Sequence, residues 1–287
     1  MFIPFIKMHG AGNDFVVIDN RKGDVPAGEL DMQKLADRQF GIGCDQIVVL
    51  EGVSKKVSSS LTPDIFMRII NADGSEVGSC GNASRCVAWL VFTETENPTV
   101  TIETADGIIT ASVEDENRIT IDMGEPRLDW QDIPLAQAMD TLHLPITEDE
   151  LSDPVAVSMG NPHAVFFVQE PYNVNLAMLG PILERHPLFP ERANISVARI
   201  ESPHHISLRV WERGAGATLA CGTAACATLV AAHRRGLTGR KALIDLPGGT
   251  LLIEWREGDN HVLMTGPAAT SFVGTFESGM YAKCIIT

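Results

Sequence analysis

Short apolar runs, separated by turn-forming Gly, Asn, Asp and Pro, are the dominant pattern of the chain. Runs of four to six residues rich in Val, Ile and Phe are typical of buried strands. They fall at residues 15–18, 46–50, 65–70 and 99–102 of the first half, and at 155–159, 164–168, 206–211 and 243–246 of the second.

Two further segments, residues 86–92 and 224–232, are apolar on nearly every face. A helix that is apolar all round must be buried, so each half is predicted to place one helix at its centre. A third, amphipathic helix is predicted over residues 31–40, with Asp31 as its N-cap.

The two halves also resemble each other. Cys80-Gly81-Asn82 recurs as Cys221-Gly222-Thr223, 141 positions later, and Gly107 and Gly124 recur 142 positions later. A duplicated pattern predicts a duplicated fold. We therefore predict an α/β (α+β) protein of two pseudo-symmetric domains, each a curved, mainly antiparallel sheet wrapped around a central helix. The boundary is expected between residues 126 and 147.

Composition narrows the classes of function. The chain has 287 residues, of which 45% are apolar and 21% charged, with a net charge of −15. This charge argues against binding to nucleic acid or to an anionic membrane, and no apolar run reaches the roughly 20 residues of a membrane span. The N-terminus shows no signal-peptide pattern, so we expect a cytoplasmic protein.

The six cysteines stand at positions 44, 80, 86, 221, 226 and 284. Without a secretion signal they are expected to be reduced. The sequence contains no Cys-x2-Cys pair of the kind that would indicate a zinc site. Cys44, Cys86, Cys226 and Cys284 are interpreted as small buried hydrophobic residues. Cys80 and Cys221 each stand before a Gly and a predicted helix, where the helix dipole favours a thiolate and can hold a carboxylate. Such a pair could remove a proton from one side of a carbon and return it on the other.

Several ordered motifs resemble the diaminopimelate epimerase family, and the likeness runs from about Lys7 to Gly274. The motifs are Met8-His9-Gly10-Ala11-Gly12-Asn13-Asp14-Phe15, Gly43-Cys44-Asp45-Gln46, Asn71-Ala72-Asp73-Gly74, Cys80-Gly81-Asn82, Gly160-Asn161-Pro162-His163, His186-Pro187-Leu188-Phe189-Pro190, Glu212-Arg213-Gly214-Ala215-Gly216, Ala220-Cys221-Gly222-Thr223 and Leu246-Pro247-Gly248-Gly249.

The resemblance implies an isomerase that interconverts LL- and meso-diaminopimelate for lysine and peptidoglycan synthesis. It implies a homodimer that needs no cofactor and no metal. It also implies two domains with the active site between them: residues 1–126 and 277–287 form the first domain, and residues 127–276 form the second. Cys80 and Cys221 match the acid/base pair, and His163 and Glu212 match residues that adjust the thiol pKa values. The positions that match substrate-binding residues are Asn13, Gln46, Asn71, Gly81, Asn82, Asn161, Asn194, Glu212, Arg213, Gly222 and Thr223.

Three positions depart from the family pattern. Ala83 and Ala224 stand where Gly is common, and Ala217 stands where Glu is frequent, which removes a charge expected near Cys221. Three alternatives stay open on the sequence: a proline racemase-type or other amino-acid epimerase of the same architecture, a thiol-based metal or redox protein, and a non-catalytic amino-acid binding protein.

Overall fold

A computed structural model describes residues 1–53 and 62–283 of the chain. Cys284 therefore lies outside the described residues. The chain divides into two compact units: unit 1 comprises Met1–Ile121 and Gly266–Thr287, and unit 2 comprises Asp122–Thr265. Each unit is built mainly of strands, with few helices.

The described residues of unit 1 form nine strands. They are β1 (Phe2–Gly10), β2 (Asn13–Asn20), β3 (Gln46–Glu51), β4 (Ile65–Asn71), β5 (Glu76–Val77), β6 (Thr99–Thr104), β7 (Gly107–Asp115), β8 (Arg118–Asp122) and β19 (Ala269–Glu277). Its helices are α1 (Met32–Ala36) and α2 (Gly81–Thr95), with short 3-10 turns at Ala27–Glu29 and Ser278–Tyr281.

Unit 2 contains ten strands. They are β9 (Thr147–Glu148), β10 (Leu151–Ser152), β11 (Val155–Ser158), β12 (Pro162–Phe167), β13 (Asn194–Ser202), β14 (His205–Glu212), β15 (Gly216–Thr218), β16 (Lys241–Leu246), β17 (Gly249–Trp255) and β18 (Val262–Gly266). Its helices are α3 (Leu176–Glu184) and α4 (Gly222–Arg234).

The two units repeat one order of strand pairing. In unit 1, β1/β2 is antiparallel, β2/β3 parallel, β3/β4 and β4/β5 antiparallel, β4/β6 parallel, and β6/β7 and β7/β8 antiparallel. The strands β11 to β18 of unit 2 pair in the same sequence of directions. The predicted α/β fold of two similar, mainly antiparallel sheets is confirmed.

Each predicted central helix is present and packs on its own sheet. Helix α2 contacts β1, β6 and β7, and α4 contacts β11, β12, β13, β16 and β17. Both are longer than their apolar cores suggested, because each begins directly after a cysteine, Cys80 or Cys221, that serves as N-cap. The repeated Cys-Gly motif thus lies at the start of the same helix in each unit.

The amphipathic helix predicted over residues 31–40 is wrong in length, since α1 ends at Ala36. Its N-cap is as predicted, because Asp31 accepts a hydrogen bond from the Lys34 N–H at 3.0 Å. The helix stops at Asp37, which is extended and whose carboxylate accepts the N–H groups of Gln39 and Phe40, each at 2.7 Å. A side chain that accepts hydrogen bonds from these backbone N–H groups competes with the carbonyl groups that would accept them in a further helical turn.

Strand β19 returns the chain to unit 1 and pairs antiparallel with β1, with Phe2 opposite Glu277. The resemblance placed this return at Glu277, whereas the contacts assign residues 266–287 to unit 1. The domain limits at residues 126 and 277 stay a prediction. No helix within the described residues is long and apolar enough to cross a membrane.

Candidate active site

Cys80 lies at the N-cap of α2, beside the tight turn that joins β1 to β2. This turn places Ala11 and Gly12 at positive φ, 52° and 84°, as a two-residue hairpin loop requires, and delivers Asn13 to the start of β2. The Asn13 Oδ1 atom accepts hydrogen bonds from the Asn82 Nδ2 at 3.2 Å and from the Cys80 Sγ at 3.8 Å. Three of the predicted site residues therefore meet in unit 1.

Gln46 and Asn71 stand opposite each other where β3 begins and β4 ends. The Gln46 Nε2 donates to the Asn71 Oδ1 at 2.9 Å, and the Asn71 Nδ2 donates to the Ser75 Oγ at 3.1 Å. The Gln46 Oε1 is buried and has no hydrogen-bond partner in the described part of the chain. A buried acceptor in this state is suited to a ligand that brings a donor.

Asn13 is hydrogen-bonded to a network of charged side chains that was not predicted from the sequence. One carboxylate oxygen of Asp45 accepts a hydrogen bond from the Asn13 Nδ2 at 3.0 Å, and the other oxygen accepts one from Arg38 at 2.6 Å. Asp14 forms ion pairs with Lys7 at 2.6 Å and Arg38 at 2.7 Å. Burial acts to raise the Asp14 pKa, but hydrogen bonds from Arg38 and Lys7 and the Lys7 charge hold it well below its usual range.

Cys221 occupies the corresponding position in unit 2, at the N-cap of α4, and is only 5% exposed. Its Sγ lies 3.5 Å from the Thr223 Oγ1. Burial, followed by the negative charge of Glu212, raises the pKa of the Cys221 thiol well above its usual value. The Glu212 carboxylate in turn accepts a hydrogen bond from the Thr218 Oγ1 at 2.5 Å.

His163 is fully buried and reaches Cys221 through two intermediates. Its Nε2 lies 2.9 Å from the Asn161 Oδ1, and the Asn161 Nδ2 donates to the Thr223 Oγ1 at 3.3 Å. Burial, aided by the Arg213 charge, lowers the pKa of His163 to about 3. The ring is therefore neutral at pH 7, and its Nε2 carries the proton that it donates to Asn161. The hydrogen-bonded path from His163 to the Cys221 side chain therefore begins at an uncharged ring.

The turn that carries Arg213 is held by two buried side chains. The Asn194 Oδ1 accepts from the Arg213 backbone N–H at 2.9 Å. Glu184, at the end of α3, accepts from the Trp211 Nε1 at 2.8 Å and from the Gly214 N–H at 3.3 Å. The Arg213 side chain is exposed and donates to the Glu191 carbonyl at 2.9 Å. Glu184 was not identified from the sequence.

The other described cysteines are buried, as the sequence predicted: Cys44 is 2% exposed, and Cys86 and Cys226 are fully buried. Burial raises the pKa of Cys44 to about 11 and that of Cys86 to about 12. In the described residues no group of three or more His, Cys, Asp or Glu side chains is arranged to hold a metal ion.

Both cysteines precede N–H groups that a helix cannot itself satisfy. Helix α2 begins at Gly81 and α4 at Gly222, and the first N–H groups of a helix have no intrahelical acceptor. Together with the helix dipole, such groups attract a carboxylate. Each unit thus combines a thiol with a helix start of the kind that attracts anions.

Comparison with known proteins identifies the family. The family model described as diaminopimelate epimerase matches residues 5–128 and 155–271. A diaminopimelate epimerase of Rhodospirillum centenum is 56% identical over 270 residues, covering 94% of this chain and 91% of that protein. A diaminopimelate epimerase of Acidiphilium cryptum is 51% identical over 279 residues, which cover 97% of this chain and 98% of that protein. The chain belongs to the diaminopimelate epimerase family.

As a member of this family, the protein is an isomerase of the epimerase kind. Its fold also resembles that of a hydroxyproline epimerase from Agrobacterium vitis, with a TM-score of 0.66 and 17% sequence identity, covering 99% of this chain and 95% of that one. At this identity the likeness concerns the fold alone, whereas the family assignment rests on the sequence relatives.

Proposed function

We propose that this protein converts LL-diaminopimelate to meso-diaminopimelate without a cofactor, with Cys80 and Cys221 as a thiolate/thiol pair acting on one α-carbon. The observation that carries the proposal is the repeat: the two cysteines are the N-caps of corresponding helices, α2 and α4. The two sequence relatives named above are both diaminopimelate epimerases, which supports the proposed substrate.

In the proposed reaction one thiolate takes the α-proton while the opposite thiol gives its proton to the other face of the carbon. The C–H bond breaks on one side and a new C–H bond forms on the other, so the atoms balance and the two sulfurs exchange protonation states. The α-proton of an amino acid is a weak acid. We assign stabilisation of the charge that develops on the carboxylate to the helix starts at Gly81, Asn82, Gly222 and Thr223.

The second amino-acid head of diaminopimelate would be recognised by the remaining polar side chains. Arg213 offers a planar guanidinium that can bind a carboxylate through two hydrogen bonds. Glu212 is proposed to pair with an ammonium group, which would also offset its charge beside Cys221. Asn13, Gln46, Asn71, Asn161 and Asn194 are assigned to the same binding set, with Asn194 placing the Arg213 backbone.

The deciding experiment is incubation of the metal-free protein with LL-diaminopimelate in D2O. We expect meso product and deuterium at the α-carbon. Cys80→Ala and Cys221→Ala should each nearly abolish both, whereas Cys226→Ala, in the same helix as the Cys221 N-cap, should keep turnover and lose stability through a cavity cost of order 1–2 kcal/mol. Ordinary turnover by Cys80→Ala would overturn the two-cysteine mechanism.

Other outcomes separate the alternatives. Turnover of proline or hydroxyproline, with none of diaminopimelate, would assign the protein to a proline racemase-type activity. Loss of activity on EDTA dialysis and recovery with zinc would indicate a metal-dependent thiol protein. Binding of diaminopimelate without deuterium exchange would indicate a binding protein.

We place the reaction in lysine and peptidoglycan synthesis in the cytoplasm, since diaminopimelate is a precursor of both. The protein is proposed to act as a homodimer, which analytical ultracentrifugation tests. A single species of monomer mass at micromolar concentration would contradict the dimer and leave the proposed reaction unaffected.

A further inference from the structure

The turn that carries Arg213 is weakly held by its own backbone. It joins β14 to β15, and Gly214 and Gly216 both adopt positive φ, 79° and 89°. Glycine loses more conformational freedom on folding than any other residue, so a turn with two glycines is costly to keep in one conformation. The Arg213 side chain is also exposed. A fixed position for its guanidinium therefore requires contacts from outside the turn.

Glu184, the last residue of α3, makes such a contact. Its side chain is buried, and its two oxygens have different partners: Oε2 accepts from the Trp211 Nε1 at 2.8 Å, and Oε1 accepts from the Gly214 N–H at 3.3 Å. A carboxylate can accept on both oxygens, whereas the amide of Gln has one oxygen and one NH2 group. Glu184 thus connects β14 and the turn to the end of α3.

The Trp211 indole lies between α3 and the turn. A Cβ atom at Gly180 of α3 would stand 2.4 Å from the indole Cδ2, so the helix backbone lies directly against the ring. At Gly216, after the turn, a Cβ atom would stand 3.6 Å from the indole Cη2, which is ordinary contact. Helix α3 therefore sets the height of the turn by packing as well as by hydrogen bonds.

The Arg213 side chain is connected to Glu184 by a second route. Its Nη1 donates to the Glu191 carbonyl at 2.9 Å. The next residue, Arg192, lies 3.6 Å from the Glu184 carboxylate, and the Ala193 N–H donates to the Glu184 carbonyl at 3.1 Å. Both the turn and the segment on which the guanidinium rests are thus held at one residue of α3.

Unit 1 contains a corresponding arrangement. Helix α1 precedes β3 as α3 precedes β13, and Asp73 stands 141 positions before Gly214, in the turn after β4. The Gln33 Nε2 of α1 donates to the Asp73 carbonyl. In each unit the outer helix therefore holds the turn that follows a candidate binding residue, Asn71 or Glu212. Because the contacting groups differ between the units, what the two units share is the hold on the turn.

We propose, on the basis of the proposed role of Arg213 in binding the second amino-acid head, that Glu184 is a positioning residue for substrate binding. Through Glu184, α3 fixes the turn at residues 213–216, and so fixes the place where the Arg213 guanidinium meets a carboxylate. A side chain that is already ordered loses less freedom on binding than one on a loose turn. Glu184 acts through Arg213 and does not itself contact the substrate.

The first test measures hydrogen exchange of the ligand-free protein by mass spectrometry. In Glu184→Gln we expect the amide oxygen to keep the shorter hydrogen bond, to the Trp211 Nε1, so that the NH2 group faces the Gly214 N–H. Exchange in the peptide that contains residues 213–216 should become about threefold to tenfold faster, the change expected for the loss of one hydrogen bond. Gln and Glu have nearly the same size, so packing changes little.

Val174→Ala is the matched control. Val174 is buried in the hydrophobic core that contains Leu179 and Leu183 of α3. Removing its two methyl groups lowers stability by leaving a cavity but keeps Glu184. Exchange of the 213–216 peptide should stay within about twofold of the wild type, because a turn exchanges through local opening. If Glu184→Gln fails to fold, Glu184→Asp, which withdraws the carboxylate by one methylene group, takes its place.

The second test asks whether Glu184 acts through Arg213. In steady-state epimerisation of diaminopimelate, Glu184→Gln should raise KM by about threefold to tenfold and change kcat by less than about twofold. The same substitution in Arg213→Ala protein should leave KM where Arg213→Ala alone puts it, because no guanidinium remains to be positioned. Val174→Ala should leave KM within about twofold of its value in either background.

Faster exchange of equal size in Glu184→Gln and Val174→Ala, or an equal rise in KM with and without Arg213, would overturn the positioning role of Glu184. The exchange measurement needs no substrate, so it is separate from the test of function. Faster exchange in Glu184→Gln alone, in a protein that fails to epimerise diaminopimelate, would keep the hold on the turn and remove the proposed function. Normal epimerisation with unchanged exchange and KM in Glu184→Gln would do the reverse.

Discussion

His163 should make unit 2 sensitive to mild acid. Its pKa is about 3 in the folded protein, because the ring is buried and close to the Arg213 charge, against about 6.5 for a histidine in an unfolded chain. As the pH falls below 6.5, the unfolded chain takes up a proton at this position and the folded protein does not. The stabilisation is therefore complete above pH 6.5 and is lost progressively as the pH falls towards 3.

The size of the effect follows from the two pKa values. Within this window the free energy of unfolding falls by about 1.4 kcal/mol per pH unit for one proton. Between pH 7.5 and pH 5 the loss due to His163 is therefore about 2 kcal/mol. That amount is large compared with the effect of most surface substitutions.

The assay compares urea unfolding of the wild type and His163→Gln at pH 5 to 7.5, followed by tryptophan fluorescence. Three of the four tryptophans, at positions 130, 211 and 255, lie in unit 2. Glutamine can still donate an N–H to the Asn161 Oδ1, so the variant removes mainly the titrating ring. It should be less stable than the wild type at pH 7.5 and lose about 2 kcal/mol less on acidification.

His204→Gln is the control, since this histidine is exposed and belongs to the same unit. Its stability should follow the wild-type dependence on pH. If the curves of His163→Gln and the wild type run parallel from pH 7.5 to 5, His163 is not held neutral by the fold. The inferred direction of the hydrogen bonds to Asn161 and Thr223 would then be wrong.

Two further substitutions test the turn after β14. Arg213→Lys keeps the charge but loses the planar fork, so KM for diaminopimelate should rise more than any KM for a mono-amino acid; an equal rise for both would place Arg213 away from the second head. Glu184→Gln leaves the Trp211 or Gly214 N–H without an acceptor, which should reduce the free energy of unfolding by about 1–3 kcal/mol and raise KM more than it lowers kcat. Glu170→Gln, at an exposed ion pair, should change stability by less than about 0.5 kcal/mol, and an equal loss in both Glu variants would refute the role of Glu184.

The sequence predicted the parts of the fold that depend on local signals. A Cys-Gly pair followed by an all-round apolar run marks a buried helix start, and its recurrence 141 positions later marks the repeat. Both helices and the strands around them were found where these signals place them. The end of α1 was missed because the carboxylate of Asp37 takes up two backbone N–H groups, and an Asp in that position is compatible with either outcome.

The supporting residues of the candidate site could not be predicted from local pattern. Asp45 meets Asn13 only because β2 and β3 pair in parallel, with Phe15 opposite Gln46. Glu184 meets Gly214 only because α3 packs on β14. Such contacts depend on sheet register and helix placement, which a single sequence does not contain. Their residue types, Asp and Glu near turns, are also common on ordinary protein surfaces.

The repeat gives the two thiols the same backbone position but different neighbours. Strand β4 ends in Asn71 and β14, its counterpart, ends in Glu212, so an amide in one unit corresponds to a carboxylate in the other. Cys80 faces the Asn13 amide oxygen, whereas Cys221 faces the Thr223 hydroxyl and the Glu212 charge. Because both thiols stand at a helix start, a difference in proton affinity between them comes from these side chains and from the deeper burial of Cys221.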